Sequence, residues 1–112
     1  MKLNNIVSQA VLVMGLASSA LAGANCAYEG GWVHKWRVTA TGVYEIPGWC
    51  GGLWDNMKSF QGDCPISNAF CGGENGFLEW TFTTSNTCSP GAVEAAWWEA
   101  TKNEFGSIVC GH

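Results

Sequence analysis

Positive charge is scarce in this 112-residue chain, with five Lys and Arg in all against nine Asp and Glu. A nucleic-acid binder needs a stripe of basic side chains to neutralise phosphates, and none can be drawn here. The same shortage disfavours attraction to an anionic membrane surface. Histidine is scarcer still: His34 and His112 stand far apart in the sequence, and the closest cysteines, Cys64 and Cys71, are seven positions apart. Clustered ligands such as paired C-x-x-C are therefore missing, and neither a metal nor another cofactor is expected. No G-x-S-x-G, H-E-x-x-H or glycine-rich phosphate loop occurs. After residue 22 there is no N-x-Ser/Thr either, since Asn86-Thr87-Cys88 does not qualify, so N-glycans are not expected.

Long hydrophobic runs are also missing, apart from one near the start. Lys2 is followed by the apolar stretch Ala10 to Ala17 and then by the small residues Ser18-Ser19-Ala20-Leu21-Ala22. That order predicts a secretory signal peptide over residues 1–22, with cleavage after Ala22. Ala22-Gly23-Ala24 offers a second cleavage register. A membrane anchor would need about 20 apolar residues, more than this core supplies. Removing the leader takes away Lys2 and leaves nine acids against Lys35, Arg37, Lys58 and Lys102, a net charge of minus five. The mature chain, residues 23–112, reads as one soluble, acidic domain.

A domain of roughly 90 residues is marginal for a core that must offset chain entropy unaided. All six cysteines lie in the mature part: Cys26, Cys50, Cys64, Cys71, Cys88 and Cys110. An even number in an oxidising compartment predicts three disulfides.

Trp32 to Ala40 alternates, with Trp32, His34, Trp36, Val38 and Ala40 facing inward and Val33, Lys35, Arg37 and Thr39 outward. Gly42 and Pro47-Gly48 read as breaks, with Val43 to Ile46 extended between them. Leu53, Trp54, Met57 and Phe60 follow helical spacing after Cys50. Pro65 to Phe70 reads as a short strand, 72–76 as a turn, and Phe77 to Thr84 as a strand with Leu78, Trp80 and Phe82 inward. Ser89 and Pro90 form a helix start, and Gly106 its expected end, before a last strand over Ser107 to Cys110. Strand, helix, strand, strand, helix, strand is the order of a ferredoxin-like split β-α-β sandwich, an α+β fold. It implies a four-stranded antiparallel sheet in the order 4-1-3-2 with both helices on one face.

Six cysteines allow 15 pairings. The expected topology selects one, because only cysteines at the same end of the sandwich come within bonding reach. Cys26 precedes the first strand where Cys110 ends the fourth, Cys50 opens the first helix at the end where Cys71 closes the second strand, and Cys64 and Cys88 share the opposite end. The predicted bridges are Cys26–Cys110, Cys50–Cys71 and Cys64–Cys88.

Tryptophan is abundant, with seven. Trp32, Trp36, Trp54, Trp80 and Trp97 fall on expected inward positions, where a short domain gains most by burying them. Trp49, in the Pro47-Gly48-Trp49-Cys50 loop, and Trp98, about 100° around the helix from Trp97, are the surface candidates for binding. No catalytic residue is assigned. The acids are scattered singly, and His34 shares a strand face with Trp32 and Trp36, which reads as a histidine packed at the core edge.

The leader, the six spaced cysteines, and the segment Cys88-Ser89-Pro90-Gly91-Ala92-Val93 through Gly106 to Ser107-Ile108-Val109-Cys110 resemble small secreted cysteine-rich proteins of filamentous fungi. These include the killer toxins of smut fungi and the killer-toxin-like effectors of plant pathogens. The opening Met1-Lys2-Leu3-Asn4-Asn5 and the size are also similar to the xylem-secreted effectors of Fusarium wilt fungi. The resemblance implies a non-enzymatic virulence effector in the host apoplast or xylem, with later uptake into host cells left open. Its partner would be a host or fungal protein, a second effector among the candidates. A killer-type antimicrobial toxin is the alternative, weakened by the acidic charge. A glycan-binding module or small hydrolase is the third reading, on the tryptophans and scattered acids alone.

Overall fold

A computed structural model describes residues 23–111, so the leader read at residues 1–22 and His112 lie outside the described residues. Two strands open the domain, β1 (Ala24–Glu29) and β2 (Val33–Ala40), followed by helix α1 (Ile46–Met57) and a 3-10 turn at Lys58–Phe60. Strands β3 (Ile66–Glu74) and β4 (Phe77–Ser85) and helix α2 (Pro90–Thr101) complete it. The strands form one antiparallel sheet in the order β1-β2-β4-β3.

Alternation builds the sheet's covered face. Trp36, Val38 and Ala40 of β2 are buried, as are Leu78, Trp80, Phe82 and Thr84 of β4. Leu53 and Met57 of α1 and Val93, Ala96 and Trp97 of α2 pack into the same core, so both helices cover one face. Trp80 lies between them, 5.8 Å from the Trp54 ring and 6.4 Å from Trp97. On the open face, Arg37 of β2 donates to the Glu79 carboxylate of β4 at 2.6 Å, an ion pair across adjacent strands.

The α+β architecture, the four-stranded antiparallel sheet and the three bridges are those expected, but the strand beside β2 is a different one. It comes from the N-terminal segment, paired from Ala24↔Ala40 to Glu29↔Lys35, and not from residues 107–110. The order is therefore strand, strand, helix, strand, strand, helix. A hairpin closed by residues 30–32 brings its strands together at far less loop-closure entropy than a pairing across the whole domain. The C-terminal segment still reaches the core: Ile108 and Cys110 are buried, and the Cys110 amide donates to the Glu94 carboxylate at 2.8 Å in place of a ladder bond.

Helix α1 begins at Ile46, earlier than its apolar stripe suggested. Pro47, read as a breaker, sits in the first turn, where its missing N–H costs nothing. Val43 and Ile46, expected extended, are respectively irregular and helical. Helix α2 starts as expected, with Ser89 Oγ accepting from the Ala92 amide, but ends at Thr101 and not at Gly106. The chain turns because Lys102, in the left-handed region, closes the last turn with its amide on the Trp98 carbonyl at 2.7 Å.

β3 runs longer than expected, with a bulge between Ser67 and Phe70, and joins β4 through Asn75-Gly76. Both turn residues have positive φ, 55° and 79°, as a two-residue hairpin of this hand requires. Gly73 is obligatory next to it, since a Cβ there would collide with the Phe77 carbonyl oxygen. Cys26–Cys110, Cys50–Cys71 and Cys64–Cys88 are bonded, with Cα separations of 5.0, 5.7 and 4.6 Å. Three bridges in so short a domain fit folding in an oxidising compartment.

Candidate functional site

The segment between β2 and α1 is pinned over the β3–β4 hairpin by the Val43 amide, which donates to the Gly76 carbonyl at 2.9 Å. Tyr44 comes next, its ring lying over Gly76 and 68% exposed. Glu45 then takes a left-handed conformation, φ 56°, to start α1, and its carboxylate does not cap the helix. One turn on, half-buried Trp49 meets Phe105 edge-to-face at 5.0 Å. Phe105 arrives there because Lys102 and Asn103, both at positive φ, reverse the chain after α2. Trp97 holds that reversal by donating its indole N–H to the Gly106 carbonyl at 2.7 Å.

These residues line a cleft of about 460 Å³ walled by Tyr44, Trp49 and Phe105 and rimmed by Glu45 and Glu104. Next to Trp49 in sequence, Cys50 is bonded to Cys71 of β3. Neither rim carboxylate has an ion-pair or hydrogen-bond partner among the described residues. An aromatic-walled concavity with two free carboxylates can seat a group that is flat or cationic and donates hydrogen bonds.

Of the two binding candidates, Trp49 lines this cleft and Trp98 does not. Trp98 projects from α2, 46% exposed, and its neighbour Trp97 is fully buried. Trp32 corrects the inward assignment made for it. Strand β2 begins at Val33, so Trp32 belongs to the turn after Gly30-Gly31 and stands 94% exposed at the hairpin tip. Trp36, Trp80 and Trp97 are in the core, and Trp54 is half-buried at its margin.

His34 sits at the core edge. Its Nδ1 lies 3.0 Å from the Cys88 carbonyl, which can only accept, so Nδ1 donates there, and Nε2 lies 3.1 Å from the Tyr28 hydroxyl. Both ring nitrogens are thereby occupied by the fold. Among the described residues, no group of three or more His, Cys, Asp or Glu side chains is placed to hold a metal ion. No described helix is long and apolar enough to cross a membrane.

Sequence reasoning did not single out Tyr44, Glu45, Glu104, Phe105 or the exposure of Trp32. A signal was present: the aromatic–acid dipeptides Tyr44-Glu45 and Glu104-Phe105 each lie just outside a helix end, and Gly30-Gly31 places Trp32 in a turn. Comparison with known proteins yields no matching family model, no matching curated protein and no matching solved structure.

Proposed function

We propose that the chain is a secreted, non-enzymatic virulence effector of a plant-pathogenic fungus that works by binding a partner protein, a second effector being one candidate. The observation that carries this reading is the placement of large aromatic side chains outside the core. A small domain gains most by burying tryptophan, yet Trp32 is 94% exposed at a hairpin tip and Trp98 is 46% exposed on a helix. Exposed tryptophans add little to folding and are the side chains most often found as anchors in protein interfaces.

Secretion rests on the leader-like segment over residues 1–22 and on the three disulfides. Terminal sequencing of protein recovered from culture fluid should begin at Gly23. A start beyond Asn25 would contradict the leader assignment.

The functional test is an infection assay with a producing strain lacking the gene, complemented by wild type or by the Trp32→Ala/Trp98→Ala variant. Wild type should restore virulence and the double variant should not, although it is secreted equally. Inhibition of competing microbes by the purified wild-type protein, with no effect on infection, would instead establish the killer-toxin reading.

A further inference from the structure

We infer that the Tyr44–Trp49–Phe105 cleft takes the cationic head of a basic side chain, an arginine or lysine, presented by the partner. This deepens the reading that the chain binds a protein, and rests on it. Charge complementarity is the first argument. Ion pairing occupies Asp55 with Lys58, Glu79 with Arg37, and Glu99 with Lys102, and Glu94 is bonded to the Cys110 amide. Among the described residues Glu29, Glu45, Asp63, Glu74 and Glu104 have no such side-chain partner, and of these only Glu45 and Glu104 share a cleft that no Lys, Arg or His lines. The mature chain's charge of minus five, nine acids against four bases, draws cations toward it as well.

The walls supply the second argument. A cation seated in the cleft gains from the π faces of its aromatic walls while the carboxylates accept its N–H groups. An anion is poorly served at the same place, although the start of α1 lies there. Pro47 has no N–H, and the amides of Gly48 and Trp49 already donate to the Glu45 carbonyl at 3.0 and 3.4 Å. A neutral sugar also stacks on aromatic walls and its hydroxyls can donate to carboxylates, but it brings no positive charge to offset that of Glu45 and Glu104.

The test follows the Trp49 indole N–H by NMR in the mature protein. The probes are acetyl-Gly-Gly-X-Gly-Gly amides in which X is arginine, lysine or the neutral isostere citrulline. The arginine and lysine peptides should shift the Trp49 resonance saturably and citrulline only weakly. Glu45→Gln/Glu104→Gln, which keeps shape and alters only charge, should weaken binding by about tenfold or more. Trp49→Phe, followed through the backbone amides of Gly48 and Phe105 in the same cleft and with the fold checked by circular dichroism, should weaken it too.

Equal response to arginine and citrulline would overturn the inference. So would no response to the basic peptides at millimolar concentration, or a response only to neutral oligosaccharides such as cellobiose or chitobiose. Failure of the broader reading is separable from these results. If Trp32→Ala/Trp98→Ala restores infection fully, the interface assignment falls while the titration stands. If the peptides fail and that variant is still inactive, only the cleft inference falls.

Discussion

Replacing Cys26 and Cys110 together by alanine cuts the bridge with the longest reach, 84 positions in sequence. In the chain-entropy account, the freed unfolded chain gains conformational freedom with the logarithm of loop length, which makes this separation of 84 worth about 4.5 kcal/mol. The same relation gives about 3.3 kcal/mol for Cys50–Cys71, separated by 21. The two pairs are well matched otherwise. Each joins one buried cysteine, Cys110 or Cys50, to one half-buried cysteine, Cys26 or Cys71, so the loss of buried sulfur largely cancels in the comparison. What remains is about 1 kcal/mol from loop length alone. A domain of roughly 90 residues has about 5–13 kcal/mol of stability in total, so losing the terminal bridge removes about a third or more of it. Urea unfolding of Cys26→Ala/Cys110→Ala and Cys50→Ala/Cys71→Ala, with the other bridges oxidised, measures the difference. The first variant should be the less stable. If it lost no more than the second, loop length would not be what makes these bridges stabilising.

Thr84→Val should cost about 1–3 kcal/mol in the same assay, because it keeps the volume but removes the acceptor of the buried Trp36 indole N–H, now 2.9 Å away. Acrylamide quenching of single-Trp variants should rank Trp32 above Trp98, both above Trp49, and Trp36 and Trp80 last; equal protection of all five would refute the placement. Trp32→Ala should change stability by no more than about 0.5 kcal/mol, since the side chain is 94% exposed. Gly73→Ala should destabilise the β3–β4 hairpin strongly, read as a lower urea midpoint, because the new Cβ meets the Phe77 carbonyl oxygen and φ is 146°.

Local signals decided much of the fold from the sequence alone. Alternation in Trp36 to Ala40 and in Leu78 to Thr84 marks two strands whose buried faces the structure keeps. Ser89-Pro90 carries its own capping chemistry and starts α2 where expected. The disulfide pairing was legible too, although Cys26, Cys50 and Cys71 lie within β1, α1 and β3 and not at their ends, because it depends on which side of the domain each cysteine reaches. The same pairing survived the change of edge strand: Cys110 needs only to reach Cys26 on that edge, and it does so from an irregular segment as well as from a strand.

Which strand takes the sheet's edge was decided only by the tertiary structure. Ala24 to Glu29 and Ser107 to Cys110 each carry one cysteine of the same bridge, and the contest turned on the lower closure entropy of the local hairpin. The exposure of Trp32 followed from where β2 begins, a boundary that alternation by itself does not mark. The cleft is least legible of all. Tyr44-Glu45 and Glu104-Phe105 lie about 60 positions apart, and they meet because α1 and α2 cover the same sheet face and the chain reverses at Lys102 and Asn103. Periodicity reports which way a side chain points within its own element, whereas a site shared between two helix ends depends on how those elements pack.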